Sequence, residues 1–243
     1  MNWVDRQVLR RISIYLTKLC LKIGISANQV TLIDFLMVVA AGVFFTFANP
    51  AYWLIGIVFF FLYLLIDCVD GEVARYNRAK GNEPPSPFGA GAILGGIVDW
   101  VSWPYLLACM AFGIYNTIDS VIVFIFGFLA AILRVIYMDI ALMSYPVLHE
   151  KGILHKAIRE VKGVRLGESK LLSYGRALFG VRGFLPVILL VIILDCFVSP
   201  FFIGSFMVNV RFIYLVIFGL AASVGVIVRI RDAFRYGARI QRI

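Results

Sequence analysis

The sequence predicts an all-α membrane protein: a polytopic bundle of six transmembrane helices preceded by an interfacial amphipathic helix. Of its 243 residues, 62% are hydrophobic and 15% are charged, whereas soluble domains are about 45–50% apolar and about 25% charged. This composition excludes an ordinary soluble protein. The net charge of +9 does not indicate a nucleic-acid partner, because the Lys and Arg residues flank apolar segments and are expected to face membrane phospholipids.

The interfacial helix is predicted within residues 1–24. Charged residues interrupt this segment from Asp5 to Lys22, so it is not expected to cross a bilayer. Its apolar residues recur at helical spacing, which is typical of a helix lying along the membrane surface. They are Val4, Val8, Leu9, Ile12, Leu16, Leu19 and Ile23.

Later segments are long and apolar enough to cross about 30 Å of hydrocarbon, which takes roughly 20 residues. Lys and Arg concentrate in the connections 78–88 and 146–178 and near both termini, which predicts a cytoplasmic location for all four regions. We expect a multi-pass protein of a prokaryotic plasma membrane rather than the endoplasmic reticulum, with a transmembrane domain over 25–235 and a basic tail over 236–243. The predicted spans are 30–49, 51–77, 89–113, 118–145, 179–198 and 202–229.

Two stripes of unusual residues adjoin the connection between the second and third spans. In DCVDGEVAR, residues 67 to 75, the acids Asp67 and Asp70 share one helix face, while Glu72 is rotated about 140° from Asp67. Asp99 lies on the next span within a stripe of four-residue steps. The first stripe is Asp67, Asp70, Gly71, Ala74 and Arg75, and the second is Gly91, Gly95, Asp99 and Trp103.

Acidic side chains at this depth need a counter-charge, because a charge at the bilayer centre costs about 2.5–3.5 kcal/mol on insertion scales. Carboxylate oxygens suit hard divalent cations, and the stripes contain no His or Cys that would favour zinc. Gly71 and Ala74 leave room for a ligand, and Arg75 has the planar fork that binds phosphate. Alternatively, the acids pair with basic neighbours and the small residues only allow close helix packing.

These residues resemble the signature of the CDP-alcohol phosphotransferases, also called CDP-alcohol phosphatidyltransferases, which reads DxxDGxxAR, a spacer and GxxxDxxxD. The segment ISANQVTLID is also similar to the family's approach to its first span, with Asn28 and Thr31 in the familiar spacing. Two features depart from the pattern: the spacer from Tyr76 to Leu94 is long, and Trp103 stands at the fourth aspartate. The first seven fixed places are Asp67, Asp70, Gly71, Ala74, Arg75, Gly95 and Asp99.

The resemblance implies transfer of a phosphatidyl or other substituted phosphate group from a CDP-linked lipid donor to an alcohol acceptor, with release of CMP, in phospholipid synthesis. CDP-diacylglycerol is the expected donor. The implied cofactors are two divalent ions, Mg²⁺ or Mn²⁺, held by Asp67, Asp70 and Asp99. Gly71 and Ala74 would admit the cytidine end and Arg75 would contact phosphate. A homodimer is also implied.

In the family the fourth aspartate is the general base, a role that Trp103 cannot perform. The resemblance leaves Asp99 and Asp139 as the candidate catalytic acids of this chain. Arg134 and Arg182 are candidates for binding a phosphorylated acceptor. Alternatively, Arg134 pairs with Asp139 or extends to the lipid headgroups. The alternative role of Arg182 is to anchor its span at the cytoplasmic surface.

Two other functions compete with the transferase. The absence of the fourth aspartate favours a catalytically impaired scaffold that binds CDP ligands. A cation-coupled transporter would use the buried acids as an ion path, but transporters commonly place such groups at mid-membrane in repeated halves. Here the acids concentrate near the predicted cytoplasmic ends of adjacent spans, which favours the transferase.

Overall fold

The computed structural model describes residues 9–81, 90–150, 181–198, 200–203 and 206–240. Helices dominate these ranges, and the first helices alternate in direction through short connections. The elements are α1 (Arg10–Ile23), α2 (Ala27–Phe45), α3 (Pro50–Ala79), α4 (Ala90–Ile118), α5 (Ile122–Glu150), α6 (Val181–Phe197), β1 (Phe201–Ile203), β2 (Phe206–Val208) and α7 (Val210–Ile240).

Local sequence signals set the boundaries of the first three helices. Gly24 ends α1 with φ 80°, a left-handed conformation that costs glycine little. Ser26 and Gln29 form a reciprocal capping box at the start of α2, each side chain bonding the other's backbone N–H. Asn49 caps α3, and Pro50 follows at its first position, where a missing N–H costs nothing.

Four of the helices contain segments long and apolar enough to cross a membrane: Ala27–Phe45, Pro50–Ala79, Ile93–Ile118 and Val210–Val228. Shorter apolar segments, Ile122–Ile136 and Leu185–Phe197, fall where the fourth and fifth spans are predicted. The mostly helical membrane fold is therefore confirmed. The count of six spans and the interfacial position of the first helix remain predictions.

Several predicted boundaries differ by a few residues from the ends of the described helices, and two of these differences have a clear local cause. The third span was expected to end at 113, but α4 continues to Ile118, because Asn116 and Thr117 bond the loop after α2 instead of breaking the helix. The Asn116 amide donates to the carbonyl of Thr46 at 3.0 Å, and the Thr117 hydroxyl lies 3.4 Å from the carbonyl of Ala48. These bonds hold the far ends of α2 and α4 together.

The sixth span was expected to begin at 202, but Phe201–Ile203 and Phe206–Val208 pair as two antiparallel strands, with Phe201 opposite Val208 and Ile203 opposite Phe206. Aromatic and branched residues favour an extended chain, and a Gly-Ser pair separates the two strands in the sequence. The helix therefore begins at Val210. This pair of short strands is a small exception to the all-α prediction.

The helix packing places α2 between α3 and α4, while α5 packs against α4 and α7, and α1 packs against α3. Glycines allow the close approach. A Cβ at Gly42 would collide with the Tyr105 ring, and one at Gly113 would collide with the backbone of Phe45. Small residues at crossing points are typical of membrane helix pairs. Residues on α2 therefore lie within reach of both neighbouring helices.

A buried ion pair lies at the end of the bundle opposite the acidic stripes. Arg211 Nε is 2.7 Å from Asp195 Oδ2, and the two side chains are only 2% and 5% exposed. The guanidinium also lies 4.8 Å from the centre of the Trp53 ring. Arg211 lies within the predicted sixth span, and this pairing explains how the apolar helix accommodates its charge.

Replacing Asp195 by Asn should leave Arg211 buried without its counter-charge. We expect the free energy of unfolding to fall by about 3–5 kcal/mol, the range for removing one partner of a buried ion pair. Thermal unfolding in detergent micelles measures the change. Asp119→Asn, the same substitution at an exposed loop position, is the matched control. Equal unfolding midpoints for the Asp195 variant and the parent would contradict a stabilising pair.

Candidate functional site

Contacts between α2 and α3 fix which of their residues lie at the same depth. The buried Thr31 hydroxyl donates to Asp70 Oδ2 at 2.9 Å. Further along the pair, the Phe45 ring packs on Gly56. The two helices are therefore antiparallel with Thr31 beside Asp70. Three residues, or about 4.5 Å, along each axis, the same register brings Asp34 level with Asp67.

A second set of contacts fixes the register of α3 against α4. The Tyr63 hydroxyl donates to Asp99 Oδ1 at 3.0 Å, and the Phe60 and Trp103 rings meet edge to face with centroids 5.8 Å apart. Asp99 is therefore level with Tyr63, about one turn from Asp67. One turn back along α4, Gly95 is level with Asp67, and a Cβ added there meets no atom within 4 Å.

Trp103, at the position of the expected fourth aspartate, belongs to the packed interior of the bundle. It is 2% exposed and stacks on Phe218 with ring centroids 6.3 Å apart. The guanidinium carbon of Arg134 lies 4.7 Å from the centre of its ring. Arg134 is 7% exposed, and its charge attracts that of Asp99. Arg134 thus faces the interior, in the direction of the acids.

The open end of the site contains the small residues of the α3 stripe and two exposed polar side chains. Asn28 on α2 and Arg75 on α3 are both exposed, and Ala74 is partly buried. A Cβ at Gly71 would lie 3.2 Å from Nη1 of Arg75. The Arg75 guanidinium therefore folds back over Gly71, next to Asp70.

Asp34 was not predicted from the sequence. It lies on α2, is 2% exposed, and its Oδ1 has no hydrogen-bond partner. The charges of Asp67, Asp70 and Asp99 all act on it. We call Asp34, Asp67, Asp70 and Asp99 the acidic region. An available signal was its position in an apolar span, because intramembrane acids are functional candidates by default.

Glu72 points away from the acidic region. Its two carboxylate oxygens accept hydrogen bonds from Ser13 at 2.9 Å and from Thr17 at 2.7 Å, both on α1. Its predicted rotation off the Asp67 face explains this direction. Polar bonds thus hold α1 against α3, and apolar side chains of α1 such as Leu19 and Ile23 remain exposed.

Two predicted site residues are only partly described. Asp139 lies on α5 and Arg182 at the start of α6, but their side chains fall outside the described part of the structure. Much of the connection 146–178 also falls outside it. The roles expected for these residues remain predictions.

The acidic region has the donor chemistry that a divalent cation needs, since it offers carboxylate oxygens and one buried oxygen without a partner. Thr31 donates to one oxygen of Asp70, and Tyr63 donates to one oxygen of Asp99. These bonds orient the two carboxylates. Within the described ranges, however, no group of three His, Cys, Asp or Glu residues meets the spacing of a metal site. The residues therefore fit a cation in chemistry, while Asp99 is offset by one turn.

The fold and this region define a class: a polytopic membrane protein with several acids buried among its helices. The comparison with known families then gives the family. A model of the CDP-alcohol phosphatidyltransferase family matches residues 25–160, more than half of the chain, and the chain belongs to that family. The family transfers substituted phosphate groups and generally depends on divalent metal ions. A comparison with curated proteins finds no match.

Replacing Glu72 by Ala should loosen α1, because the hydrogen bonds from Ser13 and Thr17 to the Glu72 carboxylate on α3 are lost. Hydrogen bonds to charged groups contribute about 1.5–3 kcal/mol each, so we expect faster amide hydrogen exchange across Arg10–Ile23 and unchanged exchange in α2. Mass spectrometry of the detergent-solubilised protein measures both. Glu72→Gln keeps an acceptor oxygen and should stay close to the parent. Unchanged exchange of α1 in the Ala variant would show that these bonds do not hold it.

Proposed function

We propose that this protein transfers a phosphatidyl group from a CDP-linked lipid, with CDP-diacylglycerol as the donor, to an alcohol and releases CMP in phospholipid synthesis. The observation that carries the proposal is the family match over residues 25–160, which spans both the DCVDGEVAR stripe and Asp99. The buried acids beside the exposed Arg75 agree with a site for a metal-bound diphosphate. A homodimer remains part of the proposal.

In this proposal the donor binds at the open end of the site. Gly71 and Ala74 admit the cytidine end close to α3, Arg75 contacts a phosphate, and Asn28 and Thr31 line the α2 side. Thr31 acts through its bond to Asp70, which holds that carboxylate in one orientation. The Arg75 side chain is exposed, and its guanidinium, which lies over Gly71, can move from there onto a phosphate.

Asp67, Asp70 and Asp99 are the proposed ligands of two divalent ions, Mg²⁺ or Mn²⁺. The bound metal supplies charge neutralisation of the diphosphate and of the departing CMP. The chain's own part is to exclude hydrocarbon from these carboxylates and to orient them. The bonds from Thr31 and Tyr63 support that role, since each fixes the orientation of the aspartate that it contacts.

The depth of Asp99 supports assigning it to proton removal as well. Gly91, Gly95 and Asp99 also fit the spacing GxxxDxxxD, with Gly95 in place of the third aspartate and Asp99 as the fourth, the family's general base. The register agrees with this second fit, because Gly95 is level with Asp67 and Asp99 lies one turn away. Asp139 is the alternative base, while Arg134 balances the charge on Asp99 and, with Arg182, is a candidate for a phosphorylated acceptor.

The charge distribution of the sequence supports a site that opens to the cytoplasm, with both termini on that side of a prokaryotic plasma membrane. Soluble acceptors and metal ions would then enter from the cytoplasm. A CDP-ligand-binding scaffold is the second candidate function. It is favoured by Trp103 at the fourth aspartate in the first registration and by the absence of a three-acid group at metal spacing in the described ranges.

The proposed reaction predicts release of CMP by purified protein given CDP-diacylglycerol, Mg²⁺ or Mn²⁺, and one of several acceptors. Glycerol 3-phosphate, inositol phosphate and serine form the panel, and chromatography quantifies CMP. Asp67→Asn, Asp70→Asn and Asp99→Asn should each abolish metal-dependent release, whereas Glu72→Gln, the same type of change on a carboxylate that faces α1, should retain it. Binding of a CDP ligand without release across the panel would favour the scaffold.

Replacing Gly71 by Ala tests the donor's approach to α3. The added methyl meets only the flexible end of Arg75, and Ala favours a helix by up to about 1 kcal/mol over Gly, so the unfolding temperature should be unchanged or higher. We expect KM for the CDP donor to rise about tenfold, equivalent to about 1.4 kcal/mol. Gly96→Ala on α4, where a Cβ meets nothing within 4 Å, is the control. Equal KM values for both variants would place the donor away from Gly71.

A further inference from the structure

The α2 side of the acidic region contains a carboxylate with an unsatisfied oxygen. Asp34 is only 2% exposed, and its Oδ1 has no hydrogen-bond partner. A buried charge without a partner is costly unless a counter-charge is present. Its neighbours make this cost larger, because the charges acting on it from Asp67, Asp70 and Asp99 have the same sign.

The stripe residues of α4 provide neither a hydrogen-bond partner nor a counter-charge for Asp34. The stripe positions on either side of Asp99 are Gly95, which has no side chain, and Trp103, which is packed among aromatic rings. At the level of Asp67, α4 therefore contributes no carboxylate, while α2 contributes Asp34 at that same level. The register follows from Thr31 bonding Asp70, three residues away on each helix.

We propose that Asp34 is an additional metal ligand, which supplies an oxygen from α2 to the divalent cation bound by Asp67 and Asp70. The observation that points to a ligand is the unpartnered oxygen of a buried side chain, on the same face of α2 as Thr31, which bonds Asp70. A hard divalent cation is the ligand chemistry that carboxylate oxygens select. The inference rests on the cation site of the proposed function and adds a residue outside the DxxDGxxAR and GxxxDxxxD stripes.

A purely structural role for Asp34 predicts different behaviour. If the carboxyl group stabilised the bundle by itself, replacing it would lower the stability of the protein both with and without metal. A ligand that is repelled by its neighbours in the metal-free protein should be replaceable by Asn without loss of stability when no metal is bound. Removing one of several close like charges relieves repulsion.

The experiment measures Mn²⁺ binding without any substrate. Purified protein in detergent is freed of metal with a chelator and titrated with Mn²⁺, and electron paramagnetic resonance reports the free ion. We expect Asp34→Asn to weaken Mn²⁺ binding by about 10- to 100-fold, at least the loss that changes around a metal ligand produce. Glu72→Gln removes a carboxylate from the neighbouring helix but faces α1, so it should bind Mn²⁺ like the parent.

Thermal unfolding supplies a second readout. Without metal, Asp34→Asn should unfold at the same temperature as the parent or higher, and the rise caused by saturating Mn²⁺ in the parent should be largely lost. If the Asn variant does not fold, Asp34→Ser, which is smaller and also uncharged, takes its place in both measurements. A lower unfolding temperature without metal, together with parental Mn²⁺ affinity, would assign Asp34 a structural role and overturn the inference.

The outcomes separate this inference from the proposed reaction. Asp34-dependent Mn²⁺ binding in a parent protein that releases no CMP would support the ligand and reject the reaction as proposed. Release of CMP by the parent, together with undiminished Mn²⁺ binding by Asp34→Asn, would reject the ligand and leave the reaction standing. Failure of the parent to bind Mn²⁺ would overturn the inference directly.

Discussion

Charged side chains inside an apolar bundle need opposite charges nearby, and the two ends of this molecule meet that need differently. At one end, Asp195 and Arg211 form a closed pair at 2.7 Å. At the other end, the four acids of the acidic region have Arg134 as a buried cation within the described part of the chain. The first arrangement is self-sufficient. The second has an excess of negative charge, which a bound cation would balance.

The position of α2 between α3 and α4 makes that excess possible. Glycines let the three helices approach closely, so a residue on α2 reaches the carboxylates of α3 and comes under the charge of Asp99 on α4. Thr31 bonds Asp70 from one side, and Tyr63 bonds Asp99 across the other pair. The acids are therefore oriented by neighbours on different helices. Packing at the far end, where Asn116 bonds the loop after α2, maintains the register that brings them together.

Periodicity predicted the parts of the site that lie on one helix. The face shared by Asp67, Asp70 and Gly71, and the rotation of Glu72 away from it, follow from about 100° per residue. The relative depth of residues on different helices could not be predicted, because it depends on which side chains pack together. Only the structure shows that Asp99 lies at the level of Tyr63. Asp34 was missed because a single acid in an apolar span belongs to no spaced motif. The strands β1 and β2 were missed because a run of apolar residues has the same composition in a strand as in a membrane helix.

The location of a carboxylate on α2 rather than α4 has a geometric consequence for the proposed site. With Asp34 facing Asp67 from α2, the α4 position at that level remains Gly95, where a side chain would meet nothing within 4 Å. One of the two proposed cations would then be bound from the α2 and α3 sides, while Asp99, on α4, lies one turn from Asp67. Asp99 is proposed both to bind metal and to accept a proton, and its distance of one turn from Asp67 would allow an acceptor hydroxyl to lie beside a metal-bound phosphate. A glycine at position 95, in place of a side chain that could bind metal, therefore leaves room for the reacting groups.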